Sequence, residues 1–124
     1  MKFSIDKKEL FVVFRLQEPK LNTLNTPDVK TELVLLSNEG FTSMIMDLSE
    51  VEFVDSSGLS ALLVANRLCN DANGTMVLTG LHPNVTKLLK ISQLDSVLNV
   101  LPTVQEAMDF VKMEELTRQI TEEE

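Results

Sequence analysis

The chain has no tryptophan, no tyrosine, one cysteine, one histidine, four glycines and four prolines in 124 residues. Each shortage removes a class of mechanism. Without tryptophan or tyrosine the surface lacks the aromatic platforms on which bases or sugars stack. The lone Cys69 can form neither an intrachain disulfide nor a zinc cluster, which suits a reducing compartment, so a cytoplasmic protein is expected. None of Gly40, Gly58, Gly74 and Gly80 stands in a dinucleotide fingerprint or in a phosphate loop closing on Gly-Lys-Ser/Thr, which leaves nucleotide hydrolysis unsupported. Positive charge is also short: 11 Lys and Arg against 19 Asp and Glu give a formal charge of -8. Such a balance repels phosphate backbones and anionic membranes, so neither is expected as a partner. Met1 to Leu10 carries three lysines and two acids, and no apolar run approaches the roughly 18 residues that a membrane span needs. No cofactor and no metal site is indicated.

What remains is 44% hydrophobic residues in 13.9 kDa, enough for one domain with one core. Surface scaling leaves roughly 6,700 Å² exposed at this mass and buries about two-thirds of the unfolded surface. Leu10 to Leu16 reads as a strand, with Phe3 and Ile5 in a partner joined through the polar turn Asp6 to Glu9. Thr26-Pro27-Asp28 supplies a capping hydroxyl, a first-turn proline and an acid. A helix carrying Val29, Leu33 and Leu36 is therefore predicted from Thr26, ending at Asn38-Glu39-Gly40. Ser43 to Leu48 is the central strand, apolar enough to be covered on both faces.

Leu59 to Cys69 is helical, Asn73-Gly74 turns, and Thr75 to Thr79 returns as a strand. Gly80 to Pro83 breaks the chain before a helix over Val85 to Lys90, and Val97 to Leu101 forms a last short strand. Thr103 and Glu106 make a capping box for a final helix with Val104, Ala107, Met108 and Val111 on its apolar stripe. Beyond Leu116, residues 117–124 read as an acidic tail that frays into solvent. Alternating strands and helices imply an α/β domain: a mixed, mostly parallel sheet of about four or five strands with about four helices.

Chemistry is sparse. His82 lies in a turn beside Pro83, and Cys69 is far from it in sequence. Asp47 ends the buried strand, where α/β sheets open their binding crevices, but its simpler role is to bond nearby loop amides. The informative stretch is Val51-Glu52-Phe53-Val54-Asp55-Ser56-Ser57-Gly58-Leu59, an apolar run that passes into Asp-Ser-Ser-Gly and then directly into a helix. Capping by Asp55 or a serine hydroxyl accounts for its polarity, and Gly58 allows close packing of the first turn.

A helical wheel adds a second feature. At about 100° per residue, Gly58, Ala61, Leu62, Ala65, Leu68 and Cys69 share one face, while Ser56, Ser60, Leu63, Arg67 and Asp71 share the opposite one. Leu63, edged by Leu59 and Val64, thus lies in a polar stripe headed by a serine. A short apolar row starting at an accessible hydroxyl is the pattern of a docking surface with a modifiable residue at its edge.

Met44-Ile45-Met46-Asp47-Leu48-Ser49, a spacer ending in Glu52, Phe53-Val54-Asp55-Ser56-Ser57-Gly58-Leu59, and Val77-Leu78-Thr79-Gly80-Leu81 with Pro83 and Val85 together resemble a STAS domain. This family contains bacterial anti-sigma factor antagonists and cytoplasmic domains of sulphate transporters. The resemblance implies a single STAS domain over residues 1–116, a regulatory rather than enzymatic role, and a phosphorylation switch at Ser56. The partners it implies are an anti-sigma factor serine kinase, bound by the unphosphorylated form so that the sigma factor is released, and a PP2C-type phosphatase. The surface expected to meet the kinase comprises Asp55, Ser56, Ser57, Gly58, Leu59, Ser60, Leu63 and Arg67, with Asn22 from the loop ahead of the first long helix.

Length favours a free-standing antagonist, expected as a monomer or weak dimer. Two departures stand out: Glu18-Pro19-Lys20-Leu21-Asn22 replaces a common Gly-x-Leu-Asp stretch, and Gln93 occupies a position where glycine is common. The alternatives are a STAS scaffold or small-ligand binder that is never phosphorylated, and a small α/β enzyme using Asp47 and Asp55.

Overall fold

The computed structural model describes residues 1–123, with an accessible surface of 6830 Å². Its elements are β1 (Phe3–Lys7), β2 (Val12–Leu16), β3 (Lys20–Leu21), α1 (Thr26–Asn38), β4 (Met44–Asp47), β5 (Phe53–Val54), α2 (Ser56–Asp71), β6 (Met76–Thr79), α3 (Pro83–Ile91), β7 (Asn99–Leu101) and α4 (Val104–Glu123). The five-stranded sheet has the order β1-β2-β4-β6-β7. Only the β1/β2 hairpin is antiparallel, with Ile5 opposite Phe14; β2/β4, β4/β6 and β6/β7 are parallel. The α/β class, the mixed sheet and the four helices match the sequence expectation.

Strand alternation explains why the middle of the sheet is apolar throughout. Val12, Phe14, Met44, Met46, Met76 and Leu78 face a core shared with α1, α2 and α3. Val13, Ile45 and Val77 point the other way, onto Ala107 and Val111 of α4. Every residue of β4 and β6 is consequently buried, because successive side chains enter opposite layers and both layers carry helices.

Several boundaries differ from the sequence reading. Thr26 is not the cap of α1: Asn25 takes that position without a side-chain capping bond, and Thr26 is the first helical residue. Its hydroxyl is drawn instead to Ser57, 3.3 Å away. Leu68 is only half-buried, and Asn66 joins the inward face of α2.

The stretch past Leu116 continues α4 as helix to Glu123 rather than fraying, and Glu124 lies outside the described residues. A polar cluster ties this stretch to the sheet. Arg118 Nη1 donates to Thr75 Oγ1 at 3.0 Å, and Glu115 accepts from Arg118 and from the buried Ser43 hydroxyl. Tertiary contacts of this kind lie outside any compositional reading of the tail.

A second small sheet was not anticipated. β3 and β5 pair in parallel, Lys20 with Phe53 and Leu21 with Val54, and the Glu52 amide donates to the Pro19 carbonyl at 2.8 Å. Two-residue strands carry no periodicity, so the sequence alone does not reveal them. This ribbon fixes where the chain enters α2.

Candidate functional site

The site is built on the turn from β5 into α2. Asp55 is extended (φ -96°, ψ -174°) and caps the helix. Its Oδ1 accepts from the Gly58 amide at 2.9 Å and from the Ser57 hydroxyl at 2.6 Å, and its Oδ2 accepts from the Thr23 amide at 3.3 Å. The Ser57 hydroxyl and the Gly58 amide, with the Thr23 amide behind them, hold the carboxyl below its ordinary value, against a small opposing effect of desolvation. Asp55 is thus a structural anion that completes the first turn of α2.

Gly58 sits where the first turn of α2 presses on the small sheet. A Cβ there would lie 2.5 Å from the Leu21 carbonyl oxygen and 2.7 Å from Val54 Cγ1. Close packing was the sequence-level reason offered for this glycine, and the small sheet supplies the surface it packs against. The Asp55 amide donates to that same Leu21 carbonyl at 3.2 Å.

Ser56 is the first residue of α2 and is exposed, and its hydroxyl has no hydrogen-bond partner among the described residues. Ser60, half-exposed, follows one turn later, then Leu63 at 37% exposure and the exposed Arg67 and Asp71. Leu59 and Val64 line the edges at intermediate exposure. Ser60, Leu63, Val64 and Arg67 border a shallow, open depression along the helix. The outward row expected from the wheel is therefore present, with Ser56 at its head.

Asn22 lies on the loop before α1. Its amide donates to Asn25 Oδ1 at 2.9 Å and its Oδ1 accepts from the Leu24 amide at 3.0 Å. The adjacent Thr23 amide reaches Asp55, so this loop and the head of α2 form one surface. Two exposed apolar side chains beside this surface escaped the sequence reading. Leu24 is 86% exposed at the loop tip, and Phe53, two residues before Asp55, is 51% exposed. A single leucine among Asn22, Thr23 and Asn25 gives no periodic signal, and Phe53 reads as part of the apolar stretch that leads into the turn.

The other candidates are satisfied. Asp47 is 3% exposed; its Oδ2 accepts from Arg15 Nε at 2.8 Å and its Oδ1 from the Ser49 amide at 3.0 Å. Arg15 is the partner the sequence left unnamed, brought alongside because residues 15 and 47 are opposed in the β2/β4 register. Both carboxylates of the enzymatic alternative are thus engaged in structure. His82 caps α3, its Nδ1 accepting from the Asn84 amide at 3.3 Å. Cys69 is buried and its thiol is pushed up to about 12, chiefly by desolvation. Among the described residues no group of three potential metal ligands occurs, and no helix is long and apolar enough to cross a membrane.

Fold and site together define an α/β domain, built on one five-stranded sheet with a small two-stranded ribbon, that presents a serine-headed helix at its surface. The chain belongs to the STAS domain family, whose model matches residues 2–107. BtrV of Bordetella bronchiseptica, named as an anti-sigma factor antagonist, is 27% identical over 92 residues, covering 74% of this chain and 78% of that protein. A crystal structure from Thermotoga maritima described as an anti-sigma factor antagonist superimposes with a TM-score of 0.80 at 25% identity, over 89% of this chain and 94% of that one. The phosphorylated form of the Bacillus cell fate determinant SpoIIAA shares the fold, with a TM-score of 0.70 at 24% identity, over 89% of this chain and 99% of that one.

Proposed function

We propose that this protein is an anti-sigma factor antagonist whose docking surface is the Ser56 end of α2 and whose switch is phosphorylation of Ser56. In this reading the unphosphorylated form binds an anti-sigma factor serine kinase and frees the sigma factor, and a PP2C-type phosphatase restores the bound state. The observation that carries it is the contrast between adjacent serines: Ser57 is committed to Asp55 and Thr26, while the Ser56 hydroxyl is exposed and unbonded at the head of the Leu63 row. The names of the relatives support the class of function, and SpoIIAA, of the same fold, is described in a phosphorylated form.

The physics of the switch is local. A phosphoryl group brings about -1.5 to -2 charge at neutral pH, which free amides at a helix start favour by about 0.3–1 kcal/mol. The isolated domain tolerates it. A docked partner does not: one like charge about 5 Å away costs on the order of 3 kcal/mol at an effective dielectric near 20, roughly a hundredfold in affinity. Modification evicts the partner without refolding the domain.

The test is intact-mass analysis of protein from its native cells, combined with partner capture. Two species differing by one phosphoryl group are expected. Ser56→Ala removes the heavier one and keeps a serine kinase bound, and Ser56→Asp releases it. Normal phosphate stoichiometry in Ser56→Ala overturns the assignment. A single unmodified species in every condition favours the unphosphorylated scaffold instead.

A further inference from the structure

Lys30, in the middle of α1, is directed at the row that Ser56 heads. Its Nζ donates to Ser60 Oγ at 2.9 Å, and the residue is half-buried. Ser60 stands four residues after Ser56, and side chains at that spacing share a helix face with Cβ atoms roughly 5–6 Å apart. Ser56 and Ser60 are thus neighbours on that face, and the Lys30 ammonium already reaches the second of them.

The charged neighbours sharpen the comparison. On α2, Asp55 carries its charge one residue before Ser56, and Arg67 lies three turns further on. On α1, Asp28 is exposed in the first turn; Glu52 is exposed just ahead of β5, as are Lys20 on β3 opposite Phe53 and Lys87 on α3 beside Phe53 and Val54. Among these groups Lys30 is the cation that the helix pairing places beside Ser60. In the unmodified chain its partner is a neutral hydroxyl. A phosphoryl dianion is the stronger acceptor, since a bond between two ionised groups is shorter and roughly twice as strong.

We propose that Lys30 is the internal counter-ion of phosphorylated Ser56. On modification its Nζ leaves Ser60 for the phosphoryl oxygens. This holds the group as a dianion, offsets repulsion from Asp55 and frees the Ser60 hydroxyl on the docking row. Lys30 acts here as a positioning residue and takes no part in phosphoryl transfer. The proposal rests on the reading of Ser56 as phosphoacceptor.

The test incorporates phosphoserine at position 56 during translation, so that it depends on no kinase, and follows the ³¹P resonance of the full chain through its second ionisation. The native midpoint is expected below that of a phosphoserine peptide, which lies at about 6. Lys30→Met and Lys30→Gln should raise it by about 0.5–1 pH unit, and Lys30→Arg should restore it. Circular dichroism of the unmodified variants confirms that each is folded. Equal midpoints in the native, Lys30→Met and Lys30→Gln proteins overturn the pairing and leave the phosphoacceptor assignment standing. Failure of Ser56 to be phosphorylated in cells removes that assignment and leaves this titration unchanged.

Discussion

Ser57 Oγ lies 2.6 Å from Asp55 Oδ1, and that bond separates the roles of two adjacent serines. The second serine completes the cap, while the first is left free. Ser57→Ala should therefore lower the thermal midpoint by a few degrees and leave phosphate incorporation at Ser56 intact, as read by melting curves and intact mass. Loss of labelling at an undiminished midpoint would reverse the two assignments.

The same cap makes a prediction about acid. The folded value of Asp55 lies below its unfolded value, so the charged carboxyl contributes fully above the unfolded value and its contribution is lost as pH falls through the folded one. Asp55→Asn should melt below the native protein at neutral pH, and the gap should close as the solution is taken below the ordinary carboxylate value of 3.8. Thermal melts across that range measure it. A gap independent of pH would mean that the charge is irrelevant to the cap.

Gly58→Ala separates packing from propensity. Alanine is the better helix former by about 1 kcal/mol. Its methyl would nevertheless lie 2.5 Å from the Leu21 carbonyl, and overpacking of this kind costs about 1–3 kcal/mol. Destabilisation is expected in urea titration, and stabilisation would show that the small sheet yields.

Leu63→Glu places a charge in the middle of the docking row without touching the core. Partner affinity should fall by at least about a hundredfold while the circular dichroism spectrum is unchanged. Surface plasmon resonance against the captured kinase decides the point, and retained binding would move the interface elsewhere on the domain.

Gln93 follows α3 at φ +60°, in the left-handed region. A side chain there costs roughly 1–2 kcal/mol, and glycine gives back about 0.4–1 kcal/mol through its greater freedom when unfolded. Gln93→Gly should raise stability by about 0.5–1 kcal/mol in thermal or urea unfolding. This backbone geometry suits glycine, the residue against which Gln93 stood out in the sequence.

Much of this domain was legible because its signals are local. The apolar runs of β4 and β6, the stop at Gly40 (φ +104°), the Thr103 cap of α4 and the two-faced wheel of α2 each depend on residues close together in the chain. The exposed row along α2 was legible for the same reason, since a helix face follows from spacing alone. What was missed is non-local. Arg15 meets Asp47 across 32 positions, Lys30 meets Ser60 across 30, and Thr26 gives up its expected capping role for Ser57 across 31.

The order of residues by itself determined the α/β class, a polar cap at Asp55 or a following serine, and the outward stripe with Ser56 at its head, because hydrophobic period and capping chemistry act within a few residues. Only the tertiary structure decided which of the two serines is free, what Gly58 packs against and where Lys30 points. Those outcomes depend on the β3/β5 pairing and on α1 lying against α2, contacts made between segments some 30 residues apart whose partners no local pattern specifies.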